Sequence, residues 1–72
     1  MKKLKKIKIK VNGKIKTITD KITLYKLINE LKIPIKKVAI ELNKEIVSKN
    51  EIKKIKLKEN DIIEIVHFIG GG

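Results

Sequence analysis

The stretch KKIKIKVNGKIKTIT, residues 5–19, decides the fold of this chain. In its first half, aliphatic side chains alternate with lysines, and this period of two is typical of a half-buried strand. Asn12-Gly13 follows, and both positions of that dipeptide tolerate the positive φ angles of a two-residue hairpin turn. We therefore predict a second, antiparallel strand over residues 14–19, in which Ile15 and Ile18 fall on opposite faces.

A single amphipathic helix is predicted after the hairpin, from about residue 24 to residue 31. Four apolar residues recur at the i, i+3, i+4 and i+7 spacing of one helical face; they are Leu24, Leu27, Ile28 and Leu31. Thr23 is placed to cap the helix, because its hydroxyl can accept a hydrogen bond from a free amide of the first turn. Pro34 closes the segment, since it pushes the residue before it out of the helical region.

Three further strands are predicted in the second half of the chain. Val38, Ile40 and Leu42 alternate, the short run 45–47 can pair back on them, and the last and longest strand spans residues 62–69. The fold class is therefore α+β, a small mixed sheet with one main helix on one face. The opposite face of the sheet is expected to stay open to water or to a partner.

The length allows one small domain, which we expect to span residues 1–72. The chain contains no cysteine, which excludes disulfides, thiolate metal sites and a cysteine nucleophile. Ile (16) and Val (4) outnumber Leu (6), a ratio that favours strands over a helical bundle. No apolar run approaches the roughly 18 residues of a membrane helix, and no signal-peptide pattern follows the basic start, so we expect a soluble, cytoplasmic protein.

The net charge of +11 comes from 19 lysines and 8 acidic residues, without any arginine. Such a charge is compatible with a small basic nucleic-acid-binding module. The absence of arginine, however, removes bidentate contacts to guanine, and one Tyr and one Phe cannot build a platform for stacking bases. We therefore expect no nucleic acid partner, and we interpret the lysines of the first hairpin as a solvated face that blunts a sheet edge.

No catalytic site and no metal site are predicted in this chain, and no cofactor is implied. The acidic residues are scattered without the spacing of metal ligands or of paired acids. His67 is the only histidine, so neither a second histidine nor a cysteine can complete a zinc site. By alternation His67 shares a face of the last strand with Ile63 and Ile65, and a structural role at the rim of that face is the favoured interpretation.

The sequence ends in three of its four glycines, Gly70, Gly71 and Gly72. Glycine lacks a Cβ, so this tail is expected to be flexible, thin and able to approach another surface closely. Three residues reach about 10 Å beyond the last strand, far enough to carry a terminal carboxylate into an enclosed site of another protein. A frayed end or a cloning remnant would leave the same sequence.

Two segments in the second half resemble the ThiS family, the sulfur carriers of thiamine biosynthesis. The first is VAIELNKEIV, residues 38–47, which is similar to the third-strand region of that family. The second is ENDIIEIVHFIGGG, residues 59–72, which looks like the closing strand and the Gly-Gly terminus of the family. Lys44 stands where the family often has glycine.

This resemblance implies a ubiquitin-like β-grasp domain that has no catalytic activity of its own. It implies that an E1-like activating enzyme adenylates the carboxylate of Gly72 with ATP, and that a sulfur-donating enzyme supplies the sulfur of a thiocarboxylate. Thiazole synthase is the implied acceptor of that sulfur. The small subunit of molybdopterin synthase, a carrier for tRNA thiolation and a conjugating, ubiquitin-like role are the alternatives with related tail chemistry.

Val66 and Phe68 are candidate docking residues for the activating enzyme. By alternation they share one face of the last strand, next to the tail, and side chains on an uncovered face are available to a partner. Core packing is the alternative, because this strand is hydrophobic on both faces. The resemblance to ubiquitin-like domains, which dock through the exposed face of this strand, favours docking. The free protein is expected to be a monomer, since a charge of +11 repels other copies.

Overall fold

The computed structural model describes residues 5–68, and its strands lie where the alternating segments of the sequence predict them. The elements are, in chain order, β1 (Lys6–Val11), β2 (Lys14–Thr19), α1 (Leu24–Glu30), a 3-10 helix (Ile35–Lys37), β3 (Val38–Leu42), β4 (Glu45–Val47) and β5 (Ile62–His67). The five strands form one sheet in the order β2-β1-β5-β3-β4. β1 and β5 are parallel and the other neighbours are antiparallel, so the predicted mixed sheet is confirmed. The short 3-10 helix has no counterpart among the predicted elements.

The first hairpin forms as its turn residues predict. Asn12 and Gly13 have φ angles of 50° and 83°, and these left-handed values give the twist that a two-residue turn needs between antiparallel strands. Ile18 is buried, whereas Ile15 is 68% exposed. The predicted division of β2 between the two faces of the sheet is therefore confirmed.

The helix begins at its predicted cap. The Thr23 hydroxyl accepts a hydrogen bond from the amide of Lys26 at 3.1 Å, and α1 ends at Glu30, one residue before the predicted end. Three residues of the predicted apolar stripe are fully buried in one core cluster with side chains of β1, β3 and β5; they are Leu24, Leu27 and Ile28. The fourth, Leu31, follows the end of α1 and is only partly buried. Burial of this stripe attaches the helix to one face of the sheet.

The irregular segment 48–58 completes the core, although no periodic pattern marks it in the sequence. Its side chains Ile52 and Leu57 are 0% and 1% exposed. The same segment also covers the first turn of α1, where the amide of Leu24 donates to the carbonyl of Ile55 at 2.9 Å and the amide of Tyr25 donates to the carbonyl of Ile52 at 3.0 Å. Amides of a first helical turn lack partners within the helix, so this segment supplies partners that the helix cannot.

The helix and the segment 48–58 together leave the second face of the sheet uncovered. Side chains that point to the helix side of β1 and β5 are buried except at the strand ends, where Val11 is half-buried and His67 is exposed. Those that point away are exposed. The prediction of one covered and one open face is therefore confirmed. Within residues 5–68, no helix has the length and apolar character needed to cross a membrane.

The turn between β3 and β4 keeps a left-handed conformation without glycine. Asn43 and Lys44 have φ angles of 53° and 71°, the pair of positive values of a two-residue hairpin turn. Lys44 thus adopts the conformation that glycine adopts without cost, whereas a residue with a Cβ is strained in it.

We predict that Lys44→Gly stabilises the domain by about 0.5–1 kcal/mol. The substitution removes the clash of a Cβ in the left-handed region, and the larger entropy of glycine in the unfolded chain offsets part of the gain. Lys44→Ala is the matched control, because it removes the same charge and keeps the Cβ. Chemical denaturation measures both free energies of unfolding, and a glycine variant no more stable than the alanine variant would contradict the strain at this turn.

Candidate functional site

β5 is the strand from which the predicted tail departs. It lies at the centre of the sheet between β1 and β3, and its inward side chains Ile63 and Ile65 are 0% and 6% exposed. The strand ends at His67, two residues before the predicted end. The glycine tail, residues 70–72, lies outside the described residues, so its flexibility and the role of its last residue stay predictions.

Val66 and Phe68 lie exposed on the open side of β5, as the alternation predicts. Their side chains are 58% and 56% exposed, so the alternative that they pack in the core is wrong. We name these two residues the tail patch, because they are the last exposed apolar side chains before residues 69–72. Single exposed apolar residues are ordinary on a protein surface, but two on consecutive outward positions form a small apolar surface at the root of the tail.

Phe68 is held in place although it follows the end of β5. Its amide donates to the carbonyl of Lys37 at 2.9 Å. This hydrogen bond extends the antiparallel pairing of β5 and β3 by one residue pair beyond Val38 and His67. The ammonium nitrogen of Lys49 lies 5.7 Å from the centroid of the Phe68 ring, within the range of a cation–π contact. The sheet therefore positions the chain as far as Phe68, the last of the residues described.

Two turn asparagines hold β5 in register, and the sequence pattern marks Asn12 only as a turn residue. The side-chain oxygen of Asn12 accepts from the amide of Ile65 at 2.7 Å, and its side-chain nitrogen donates to the Ile65 carbonyl at 3.2 Å. The side-chain oxygen of Asn43 accepts from the amide of Ile62 at 2.9 Å, and its nitrogen donates to Asp61 Oδ1 at 3.1 Å. Asparagine is favoured at the positive φ of a turn. The order of the strands, however, decides which backbone groups lie within hydrogen-bond distance of its side-chain amide.

His67 lies exposed at the end of β5 and pairs across the sheet with Val38. The residues that precede it on the same face of β5 are buried, so its position fits the predicted rim of that face. Residues 5–68 contain no group of three or more His, Cys, Asp or Glu side chains that could hold a metal ion.

The lysines of the first hairpin lie at a distance from the tail patch. Lys6, Lys8 and Lys10 are exposed on the outward side of β1. Lys10 aligns with Ile62 in the parallel pair, four positions before Val66. β2, which carries the remaining lysines of the hairpin, is an edge strand of the sheet, as the interpretation of these charges as edge protection requires.

The chain is similar to one family and to several of its named members. The model of the ThiS family matches residues 9–72. The sulfur carrier protein ThiS from Bacillus subtilis (strain 168) is 40% identical over 65 residues, which cover 89% of this chain and 98% of that protein. The crystal structure of a thiamine biosynthesis protein (ThiS) from Geobacter metallireducens has a TM-score of 0.81 at 29% identity, over 92% of this chain and 100% of that chain.

A longer relative contains a similar segment. The thiazole synthase from Paramagnetospirillum magneticum (strain ATCC 700264 / AMB-1) is 38% identical over 66 residues, which cover 92% of this chain. The matched region is 20% of that protein. This chain therefore spans about a fifth of the length of the thiazole synthase that it matches.

We predict that Val66→Asp leaves the fold and the thermal midpoint within about 2 °C of the parent chain, because an exposed substitution on the open face removes little buried area. Ile65→Asp is the matched control one residue away, at a buried position where an unpaired carboxylate is strongly unfavourable. Thermal unfolding followed by circular dichroism measures both variants. Loss of the folded state in Val66→Asp would show that this side chain belongs to the core.

Proposed function

We infer the function of this chain from one premise, which is that the chain belongs to the ThiS family. Its fold is the ubiquitin-like β-grasp, with the mixed sheet and single main helix of its structural neighbour. The chain is a sulfur carrier protein of thiamine biosynthesis.

We propose that the carboxylate of Gly72 is the group that carries sulfur. A carboxylate is a poor electrophile, so its oxygen must first become part of a leaving group. In the proposed step, the carboxylate attacks the α-phosphate of ATP on an activating enzyme, which forms an acyl-adenylate and releases pyrophosphate. The terminal sulfur of a donor persulfide then attacks the acyl carbon and displaces AMP, which gives an acyl disulfide. A thiol attacks the donor's sulfur in that disulfide, forms a new disulfide with it and releases the thiocarboxylate. A side-chain-free tail supports this proposal, because its backbone approaches a nucleotide closely.

We propose thiazole synthase as the protein that receives the sulfur. A segment similar to this chain forms a fifth of a protein of that name. Two functions that occur within one polypeptide in a relative commonly belong to one process, and this supports a partnership between separate chains here. An ATP-dependent activation also favours a cytoplasmic location for the carrier, and its charge of +11 favours a monomer between encounters.

The exposure of the tail patch is the structural observation that carries the docking part of this proposal. Val66 and Phe68 are more than half exposed, and they precede Gly70 by four and two residues. A partner that contacts them also faces the root of the tail, because the amide of Phe68 is fixed by the Lys37 carbonyl at 2.9 Å. We therefore propose that the activating enzyme docks on the tail patch and receives the tail in an adjoining channel.

We predict that deletion of Gly72 abolishes sulfur loading and leaves stability unchanged. Removal of one residue withdraws the carboxylate by about 3.5 Å, and misplacement of a reacting group by about 1 Å can lower a rate about a hundredfold. The assay combines the chain with the activating enzyme, ATP and a sulfur source, and intact mass detects the replacement of one oxygen by sulfur. Gly71→Ala is the graded control, with a milder loss if a Cβ clashes in a narrow channel. A chain ending at Gly70 that still accepts sulfur at the parent rate would contradict the carrier mechanism.

We also predict that Val66→Asp and Phe68→Asp each weaken binding to the activating enzyme by at least tenfold. A carboxylate without a partner is unfavourable in a desolvated interface. Ile15→Asp is the matched control: Ile15 is 68% exposed on β2, and the register places it beside Lys10 and away from the tail. Isothermal titration with each variant measures the affinity. Equal losses in all three variants would place the interface elsewhere.

A further inference from the structure

β5 extends beyond the strand that pairs with one of its edges. On one side, β3 pairs with β5 from Ile63 to His67. On the other side, β1 pairs with β5 only at Ile62 and Ile63, because the chain then enters the first hairpin turn. The second half of β5 therefore has a β1-side edge that no strand among residues 5–68 covers.

The side chain of Asn12 extends this edge by one step. In a parallel pair, alternate residues of a strand bond to the same neighbour, and the amides of Lys10 and Asn12 donate to the carbonyls of Asp61 and Ile63, both at 2.9 Å. Ile65 is the next residue with this orientation. Both of its backbone groups bond to the Asn12 side chain, at 2.7 Å and 3.2 Å.

His67 is the following residue with this orientation, and its backbone groups on this side have no partner among residues 5–68. The amide of Phe68, by contrast, points to the β3 side and bonds to Lys37 at 2.9 Å, which fixes the alternation.

This edge lacks the lysines that protect the outer edge formed by β2 in the same sheet. Folded proteins blunt free strand edges with lysines, prolines or very short strands. β2 carries Lys14 and Lys16 along its length, and β4 is only three residues long. The run Val66-His67-Phe68 has no lysine and no proline, and two of its three side chains are exposed and apolar.

We propose that the β1-side edge of β5 at His67 binds an extended segment of the activating enzyme by main-chain hydrogen bonds. The proposal rests on the function given above and adds a mode of recognition to it. An extended polypeptide can pair its own N–H and C=O groups with the N–H and C=O that His67 presents on this side of β5. A second copy of this chain is a poor occupant, because each copy carries a charge of +11. Pairing at His67 also fixes the direction in which the chain enters the enzyme.

Hydrogen exchange of the parent chain, alone and bound to its E1-like activating enzyme, tests this proposal without any substitution. We expect the His67 amide to exchange rapidly in the free chain and at least tenfold more slowly in the complex. The Phe68 amide is the internal control, because its bond to Lys37 protects it in both states. An unprotected His67 amide in a complex that forms adenylate would overturn the proposal, as would protection caused by self-association of the free chain.

A pair of substitutions tests the same bond by affinity. His67→Pro removes an N–H that has no partner within residues 5–68, and proline is tolerated where the N–H of a strand faces solvent. We expect it to weaken binding about tenfold, the loss of one main-chain hydrogen bond at an interface. His67→Ala removes the side chain but keeps the N–H, and it should bind within twofold of the parent. Equal affinity of the two variants would overturn the edge proposal.

The two levels of the proposal fail in different ways. If the parent chain forms no adenylate and no complex with the activating enzyme, the proposed function is overturned. The proposal that this enzyme binds the edge at His67 is then overturned as well. If the parent chain is loaded with sulfur and His67→Pro is loaded equally well, only the edge proposal is overturned. Phe68→Pro serves as the structural control, because it removes an amide that bonds within the sheet and should destabilise the domain.

Discussion

The position of β5 between β1 and β3 is the constraint on which the rest of the structure depends. A central strand can bond to neighbours on both edges, and its inward side chains are buried. Ile63 and Ile65 occupy this position beneath the helix, with 0% and 6% exposure, and the same strand leads into residues 69–72. The interactions that hold this small core together therefore also fix the position of Phe68, the last of the residues described.

The two faces of the sheet differ because the chain has one main helix to cover them. The covered face holds the core cluster, whereas the open face carries the lysines of β1 at one end and the tail patch at the other. A domain of this size has little stability in reserve. Placement of the proposed docking side chains outside the core allows their chemistry to change without loss of the fold.

The register of β1 against β5 connects the first hairpin to the root of the tail. Since the hairpin turns at Asn12, strand pairing stops and a side-chain amide takes the next two hydrogen bonds, both to Ile65. One step later, at His67, the edge is free among the residues described. The position of this turn thus determines how many residues of β5 remain unpaired on the β1 side.

The sequence by itself determined the features that depend on residues a few positions apart. Alternation predicts the strands and the outward position of Val66, the Asn12-Gly13 dipeptide predicts the hairpin, and Thr23 predicts the start of the helix. The resemblance of the second half to one family also predicted the function. Only the tertiary structure decided that the aperiodic Ile52 belongs to the core and that Asn12 bonds to Ile65, 53 residues away. Local patterns report which face a residue occupies, but a contact between distant segments depends on strand order and register, which no short stretch of the chain encodes.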